Sequence, residues 1–183
     1  MEKNDKKLKS DLILDKLKGT TKKFEQVQVD EDTVQIIIIS LDGNVYAVEA
    51  ENVFEIFPNQ KIYSVPGTPS YVLGVQNLRG DITSILSLKV LLNLADRDDG
   101  SGLRVVYTKI EEDIVGFLVD MVNDVIDFPI SGIIKTLSTL DKQMKDFIQG
   151  EIFYDEQHIP LLNIMKIFDK AARGMNKSAS MTL

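Results

Sequence analysis

VQIIIISLDGNVYAVEAENVFEIF, residues 34–57, aligns without a gap on LRVVYTKIEEDIVGFLVDMVNDVI, residues 103–126, at a constant offset of 69. In the first copy a β-branched run leads into Asp42-Gly43-Asn44 and then into Val45–Glu49, the pattern of two strands joined by a tight hairpin turn. In the second copy an apolar strand falls on the apolar strand, Glu112-Asp113 falls on Gly43-Asn44, and Val122, Asp124 and Val125 fall on Val53, Glu55 and Ile56. The four isoleucines Ile36–Ile39 break the alternation of a half-exposed strand, which predicts burial on both faces. Glu51–Phe57 carries Val53 and Ile56 at the spacing of a helix or a bent strand, and Pro58 closes it.

Beyond Pro58 lies VPGTPSYVLGVQNLRGDITSILSLKVLL, residues 65–92. Pro66 and Pro69 each fix φ and remove an amide donor, so this entry is a corner and not the interior of a sheet. Val65–Gly74 reads as a turn or short apolar helix ending at Gly74, and Asn77-Leu78-Arg79-Gly80 separates two strand-like runs. Arg79 either ties down this turn or meets a partner. Leu86–Leu94 reads as a short helix or the exit from a strand into one, and Ala95–Gly102 is a polar loop. The corner repeats as well: Gly74 maps to Gly150 at an offset of 76, which places Ser84 on Pro160, Ser87 on Asn163, Leu88 on Ile164 and Leu91-Leu92 on Ile167-Phe168.

Two copies are too few for a solenoid. They fit a mainly β architecture of two small barrels packed side by side, each of about five short strands. The predicted organisation is a charged arm over residues 1–33, a two-barrel domain over 34–168 built from intertwined halves at about 34–94 and 103–168, and a tail over 169–183. Each half alone is a marginal domain, so an apolar surface between the two should be buried.

Charge and composition bound the function. Residues 1–33 hold eight lysines and eight acids, so the net charge of −7 belongs to the rest of the chain. An acidic body repels phosphate backbones and argues against nucleic acid. The arm has one short apolar set, Leu8, Leu12, Ile13, Leu14 and Leu17, which fits a single short amphipathic helix that is marginal alone. It is expected to be mobile or loosely docked, either a solvated extension or a docking segment. The absence of cysteine removes disulfides and thiolate chemistry and fits a reducing compartment. No secretory signal is visible, and the longest pure aliphatic run is far below a membrane span, so a soluble, cytoplasmic protein without direct membrane insertion is expected.

Catalytic constellations are hard to assemble. His158 is the only histidine and sits beside Ile159-Pro160 in a repeated strand, where a surface or hydrogen-bonded role is the ordinary one. Neither a phosphate-binding G-x-x-x-x-G-K-[ST] loop nor a G-x-G-x-x-G fingerprint is present. The acidic groups Asp96-Arg97-Asp98-Asp99 and Glu111-Glu112-Asp113 fall on loops or turns. Asp120, Asp124 and Asp127 occupy positions that hold Glu51, Glu55 and Pro58 in the first copy, which points to architecture. No enzyme, cofactor or metal is expected, and a surface for proteins remains.

The stretch VPGTPSYVLGVQNLRGDI resembles the signature of CheW-like domains, which runs roughly VPxxPxxxxGVxNLRGxIxPVxDL. GNVYAVEAENVFEI resembles the strand that precedes it in that family, and VGFLVDMVNDVI its second-half G-x-x-V-D-x-V element. The likeness covers about Val34 to Phe168. It implies two packed SH3-like five-stranded barrels and a non-catalytic adaptor that couples the cytoplasmic tip of methyl-accepting chemoreceptors to the regulatory domain of the histidine kinase CheA, recruited to membrane-associated receptor arrays. The alternative within the resemblance is a scaffold or competitor module for another signalling kinase without receptor coupling. Carried over by motif position, Val53, Glu55, Gly74, Arg79 and Gly116 would lie at or near a receptor-contacting groove. The family's proline and aspartates are replaced by Ser84, Ser87 and Asn163, and the last two can still hydrogen-bond at a helix start.

Overall fold

In the computed structural model of the chain the described residues are 31–95, 102–135 and 142–180. Residues 1–30 of the predicted arm and the acidic stretch Asp96–Asp99 lie outside them. Among the described residues ten strands form two sheets. β1 (Thr33–Leu41) and β2 (Asn44–Glu49) are joined by the expected hairpin, with φ of 49° at Asp42 and 75° at Gly43, the primed turn that matches strand twist. A single 3-10 turn at Ala50–Asn52 leads into β3 (Val53–Pro58), and the corner leads into β4 (Val72–Leu78), β5 (Asp81–Ser87) and the short helix α1 (Leu88–Leu91). The second copy supplies β6 (Arg104–Ile110), β7 (Asp113–Val119), β8 (Met121–Pro129), α2 (Lys142–Lys145), β9 (Ile148–Tyr154), β10 (Gln157–Leu162) and α3 (Ile164–Ser180).

The sheets do not coincide with the copies of the repeat. One has the order β8-β1-β2-β10-β9 and the other β3-β6-β7-β5-β4. Advancing every strand of the first by five positions around the ten gives the second, so the symmetry of the sequence is the symmetry of the fold, with strands exchanged between copies. Irregularities repeat as well. The bulge that leaves Phe54 unpaired in β3 has its counterpart at Asn123 in β8, and the one at Leu73 in β4 has its counterpart at Gln149 in β9.

The exchange explains the isoleucine run. Ile37 and Ile39 enter a large cluster shared by both sheets with Leu86, Phe117, Leu162 and Ile167, while Ile36 and Ile38 enter the interior of the first sheet with Ile152 and Leu161. β6 divides in the same way, Val106 toward the shared core and Val105 and Tyr107 toward the interior of the second sheet. Both strands are therefore walls between two hydrophobic layers, and all four isoleucines are buried.

Two local expectations are corrected. Gly74 does not end a helix or turn: it lies inside β4, where the chain bulges against the backbone bridge from Tyr63 to Val75. The helix that starts after β10 runs through residue 169 to Ser180, with Ile167 and Ala171 fully buried, so the segment read as a tail begins inside packed structure. Ser87 Oγ accepts from the Val90 amide at 3.2 Å and Asn163 Oδ1 from the Lys166 amide at 3.0 Å, so both departures from the family pattern still cap their helices. Among the described residues no helix is long and apolar enough to cross a membrane.

Candidate functional site

The β4–β5 turn puts Arg79 in the left-handed region, φ 54°, followed by Gly80 at φ 108°. A side chain in that region costs on the order of 1 kcal/mol. Asn77 Oδ1 accepts from the Gly80 amide at 3.0 Å and fixes the turn. The guanidinium then reaches back to β3 and pairs with Glu55 Oε1. β3 and β4 are the two edges of the second sheet, so this ion pair helps to close it into a barrel. Inside the closure, Tyr107 Oη donates to Gln76 Oε1 at 2.8 Å, and Gln76 Nε2 donates to Asn59 Oδ1 at 3.0 Å and to the Gln60 carbonyl at 2.6 Å. Burial pushes the Tyr107 phenol above its ordinary value, and the charge of Glu55 adds to the shift.

Arg79 is 65 % exposed on its side chain, so the ion pair is screened and contributes about 1 kcal/mol or less. What it fixes is direction. Glu55 Oε2 is buried without a hydrogen-bond partner among the described residues, while the arginine stands in solvent beside Phe54 and Ile82, two exposed apolar side chains. Phe54 points outward because it is the bulged residue of β3. Arg79, Phe54 and Ile82, with Asp81, Thr83 and the Glu112-Asp113 turn, line a depression of about 280 Å³.

The five residues predicted for the site separate by depth. Glu55 and Arg79 meet directly at the surface. Val53 packs half-buried against the shared core. Gly74 and Gly116 lie within the second sheet: a Cβ on Gly74 would stand 2.2 Å from the Tyr63 carbonyl oxygen, and one on Gly116 would stand 2.6 Å from Ile85 Cδ1 and Val105 Cγ1. Neither glycine offers a side chain to a partner, and both set the closeness of the strands that carry Arg79. Phe54 and Ile82 were missed by sequence reasoning. Ile82 reads as one more strand residue there, and only the bulge, set by cross-strand register, turns Phe54 outward.

The repeat supplies a second version of this arrangement in the first sheet. Asp124 takes the place of Glu55 on edge strand β8, and its Oδ2 accepts from Tyr154 Oη at 2.6 Å on the opposite edge strand β9. Asp155 replaces Arg79 with the same left-handed backbone, φ 49°. The Tyr154 hydrogen bond, and then the Val125 amide, hold the Asp124 carboxyl below its usual range; the carboxylate in turn raises Tyr154. A lowered carboxyl pKa contributes stability above the unfolded value of about 3.9 and loses it as pH falls through the folded one. In Tyr154→Phe the Asp124 carboxyl is expected to titrate higher, back toward the ordinary range, in a side-chain carbon NMR titration; an unmoved titration would assign the shift to the backbone bond alone.

Asp120 and His158 are engaged in structure. Asp120 pairs with Lys89, and Asp120 Oδ2 accepts the Asp42 amide at 2.7 Å. His158 pairs through Nδ1 with Glu151 and packs against Phe153 with ring centroids 5.1 Å apart. No group of three metal-ligating side chains comes together among the described residues.

Comparison with known proteins fits this geometry. A family model for the CheW-like domain matches residues 35–172. The chain belongs to the CheW-like domain family. The chemotaxis protein CheW of Bacillus subtilis is 28 % identical over 136 residues, 74 % of this chain and 87 % of its own length. That of Helicobacter pylori is 31 % identical over 97 residues, 53 % of this chain and 59 % of its own. Among solved structures, the scaffolding protein TtCheW from Thermoanaerobacter tengcongensis matches with a TM-score of 0.67 at 25 % identity, covering 75 % of this chain and 94 % of that one. The CheW-like match starts and ends within the two-barrel unit, from β1 into α3.

Proposed function

We propose that this protein is a non-catalytic chemotaxis adaptor that couples transmembrane chemoreceptors to the histidine kinase CheA and lets receptor state control kinase autophosphorylation. The observation that carries the reading is the CheW-like match across both barrels, 35–172, with the Asn77–Gly80 turn of its signature building an exposed Arg79 between Phe54 and Ile82. An oriented cation flanked by apolar side chains is the composition of a protein contact. On this reading the protein works in the cytoplasm at receptor arrays. Val53, Glu55 and Arg79 line or orient the receptor-contacting groove, a helix-in-groove contact for a helical hairpin tip, and Gly74 and Gly116 set its shape from beneath. Kinase contacts fall on loops and barrel ends of both halves.

The test is a backbone-amide NMR titration with the regulatory domain of the cognate CheA and, separately, with a receptor-tip fragment. Shifts around Val53 and Arg79 with the receptor, and at a different barrel end with the kinase, are expected. Arg79→Ala should weaken receptor binding about tenfold, the loss of one central arginine contact, while lowering stability by no more than about 1 kcal/mol. Unchanged affinity for both partners in that variant, with the fold intact, would remove Arg79 from the contact. No shift with either partner would sink the adaptor reading itself.

A further inference from the structure

A larger cleft, about 710 Å³, opens elsewhere on the molecule, and it shares no lining residue with the Arg79 depression. Its floor is Tyr71, Leu91 and Phe147, contributed by the corner before β4, by α1 and by the turn after α2. One wall is α3. Lys166, Lys170 and Arg173 stand at positions i, i+4 and i+7 of that helix, the spacing of a single face, and all three are exposed. Their row extends for about 10 Å at 1.5 Å per residue. Lys170 Nζ lies 4.4 Å from the centroid of the Phe147 ring, which draws the charge over the apolar floor.

The helix is held so as to leave this space open. Tyr71 Oη donates to the Ala171 carbonyl at 2.7 Å, and a Cβ at Gly174 would stand 2.4 Å from that hydroxyl. The small residue lets α3 rest on Tyr71 at one end.

We infer that this cleft docks an acidic amphipathic segment of a partner protein, with an apolar side chain on the Tyr71–Phe147 floor and carboxylates along the row Lys166, Lys170 and Arg173. Charge complementarity selects that occupant. A cationic row in a chain of net charge −7 attracts acids locally. Its length exceeds what one phosphate group can span. Asp146 and Asp169 in the same lining would repel a continuous anionic bilayer, whereas a peptide can place its carboxylates between them. The recessed floor likewise suits an inserted side chain better than a flat membrane surface.

The experiment titrates the labelled full chain with the synthetic peptide Glu-Glu-Leu-Phe-Glu-Glu-Leu-Leu-Glu-Glu and with a copy carrying Lys in place of Glu. Saturable amide shifts at Leu91, Phe147 and Gly174 are expected with the acidic peptide only, at a dissociation constant below about 1 mM. The triple variant Lys166→Glu/Lys170→Glu/Arg173→Glu, which alters exposed positions and should stay folded with a melting point only a few degrees below the parent's, is expected to weaken binding at least tenfold. Absence of saturable shifts, equal binding of the Lys peptide, or full retention of affinity in the variant would overturn the proposal. So would sedimentation of the chain with phosphatidylglycerol vesicles in place of peptide binding, which would make α3 a lipid-facing surface.

Discussion

Lys89→Ala is expected to destabilise the protein by about 3 kcal/mol, the cost of removing a buried ammonium and its stem from an ion pair whose carboxylate is itself only partly exposed. Lys89 is the second residue of α1, its side chain only 6 % exposed, and its Nζ lies 2.6 Å from Asp120 Oδ1. Asp120 sits between β7 and β8; its own amide donates to the Ser40 carbonyl at 3.1 Å and its Oδ2 accepts the Asp42 amide at 2.7 Å. One carboxylate thus joins a helix that follows the second sheet to the β1–β2 hairpin of the first. Removing the ammonium leaves a partly buried carboxylate that still accepts the Asp42 amide, together with the space of a buried lysine stem. A domain of this size should melt roughly 6 to 12 °C lower. Lys89→Met with Asp120→Asn keeps the volume, removes both charges and leaves an acceptor for Asp42, so the pair of changes should recover most of the loss. Urea unfolding of the three proteins checks this. A Lys89→Ala midpoint within error of the parent would mean that water reaches Asp120 freely and that the ion pair adds nothing to the join between the sheets.

Lys89 also marks a limit on what the sequence discloses. It appears there as a lone charge in an apolar run, a sign of either a snorkelling surface residue or a buried pair, and its partner is 31 positions away across a sheet boundary. The repeat, by contrast, was legible because two gap-free offsets, 69 and 76, carry both the strands and the corner. From the offsets follow ten strands, paired turns at Asp42 and Glu111, and matching caps at Ser87 and Asn163, all of which the structure contains. Which strands the intertwined halves exchange was not legible. A repeat says that β3 and β8 are equivalent without saying which β1 or β6 each will pair with. The choice falls to the short Ala50–Asn52 turn, which carries β3 out of the sheet of β2 and alongside β6. The two-sided burial of Ile36–Ile39 was the available hint, since a strand with a core on each face must stand between two layers.

The candidate site was legible to the same depth. The Asn77–Gly80 turn and the glycines stand out by residue type, and Glu55 by its place after the hairpin. Their division into surface and support was not, because it depends on which way a bulge turns Phe54 and on what lies against each glycine.

That division yields the second large expectation. Gly74→Ala should cost about 3 kcal/mol or more, whereas Gly150→Ala, at the equivalent position of the second copy, should cost about half as much. Gly74 has φ of 143°, a conformation that side chains rarely adopt, and its added Cβ would meet backbone, the Tyr63 oxygen at 2.2 Å and its carbon at 2.7 Å. That carbonyl accepts the Val75 amide at 2.9 Å, in the bridge that closes the corner onto β4, so it cannot withdraw without breaking the bond. At Gly150 the first neighbour is the Ile133 Cγ2 methyl at 2.8 Å, and the backbone oxygen of Ile134 stands at 3.1 Å, a contact that a side-chain rotation and a small shift relieve. Thermal melts of the two variants give the comparison. The consequence for the site is directional as well. Because β4 carries the Arg79 turn at its far end, displacement at Gly74 is transmitted along the strand to the Glu55 pair, so Gly74→Ala should shift the amide resonances of Arg79 and Gly80 while Gly150→Ala leaves them in place. Equal costs, or an Arg79 turn unmoved by Gly74→Ala, would mean that the corner yields locally and that Gly74 supports only its own bulge.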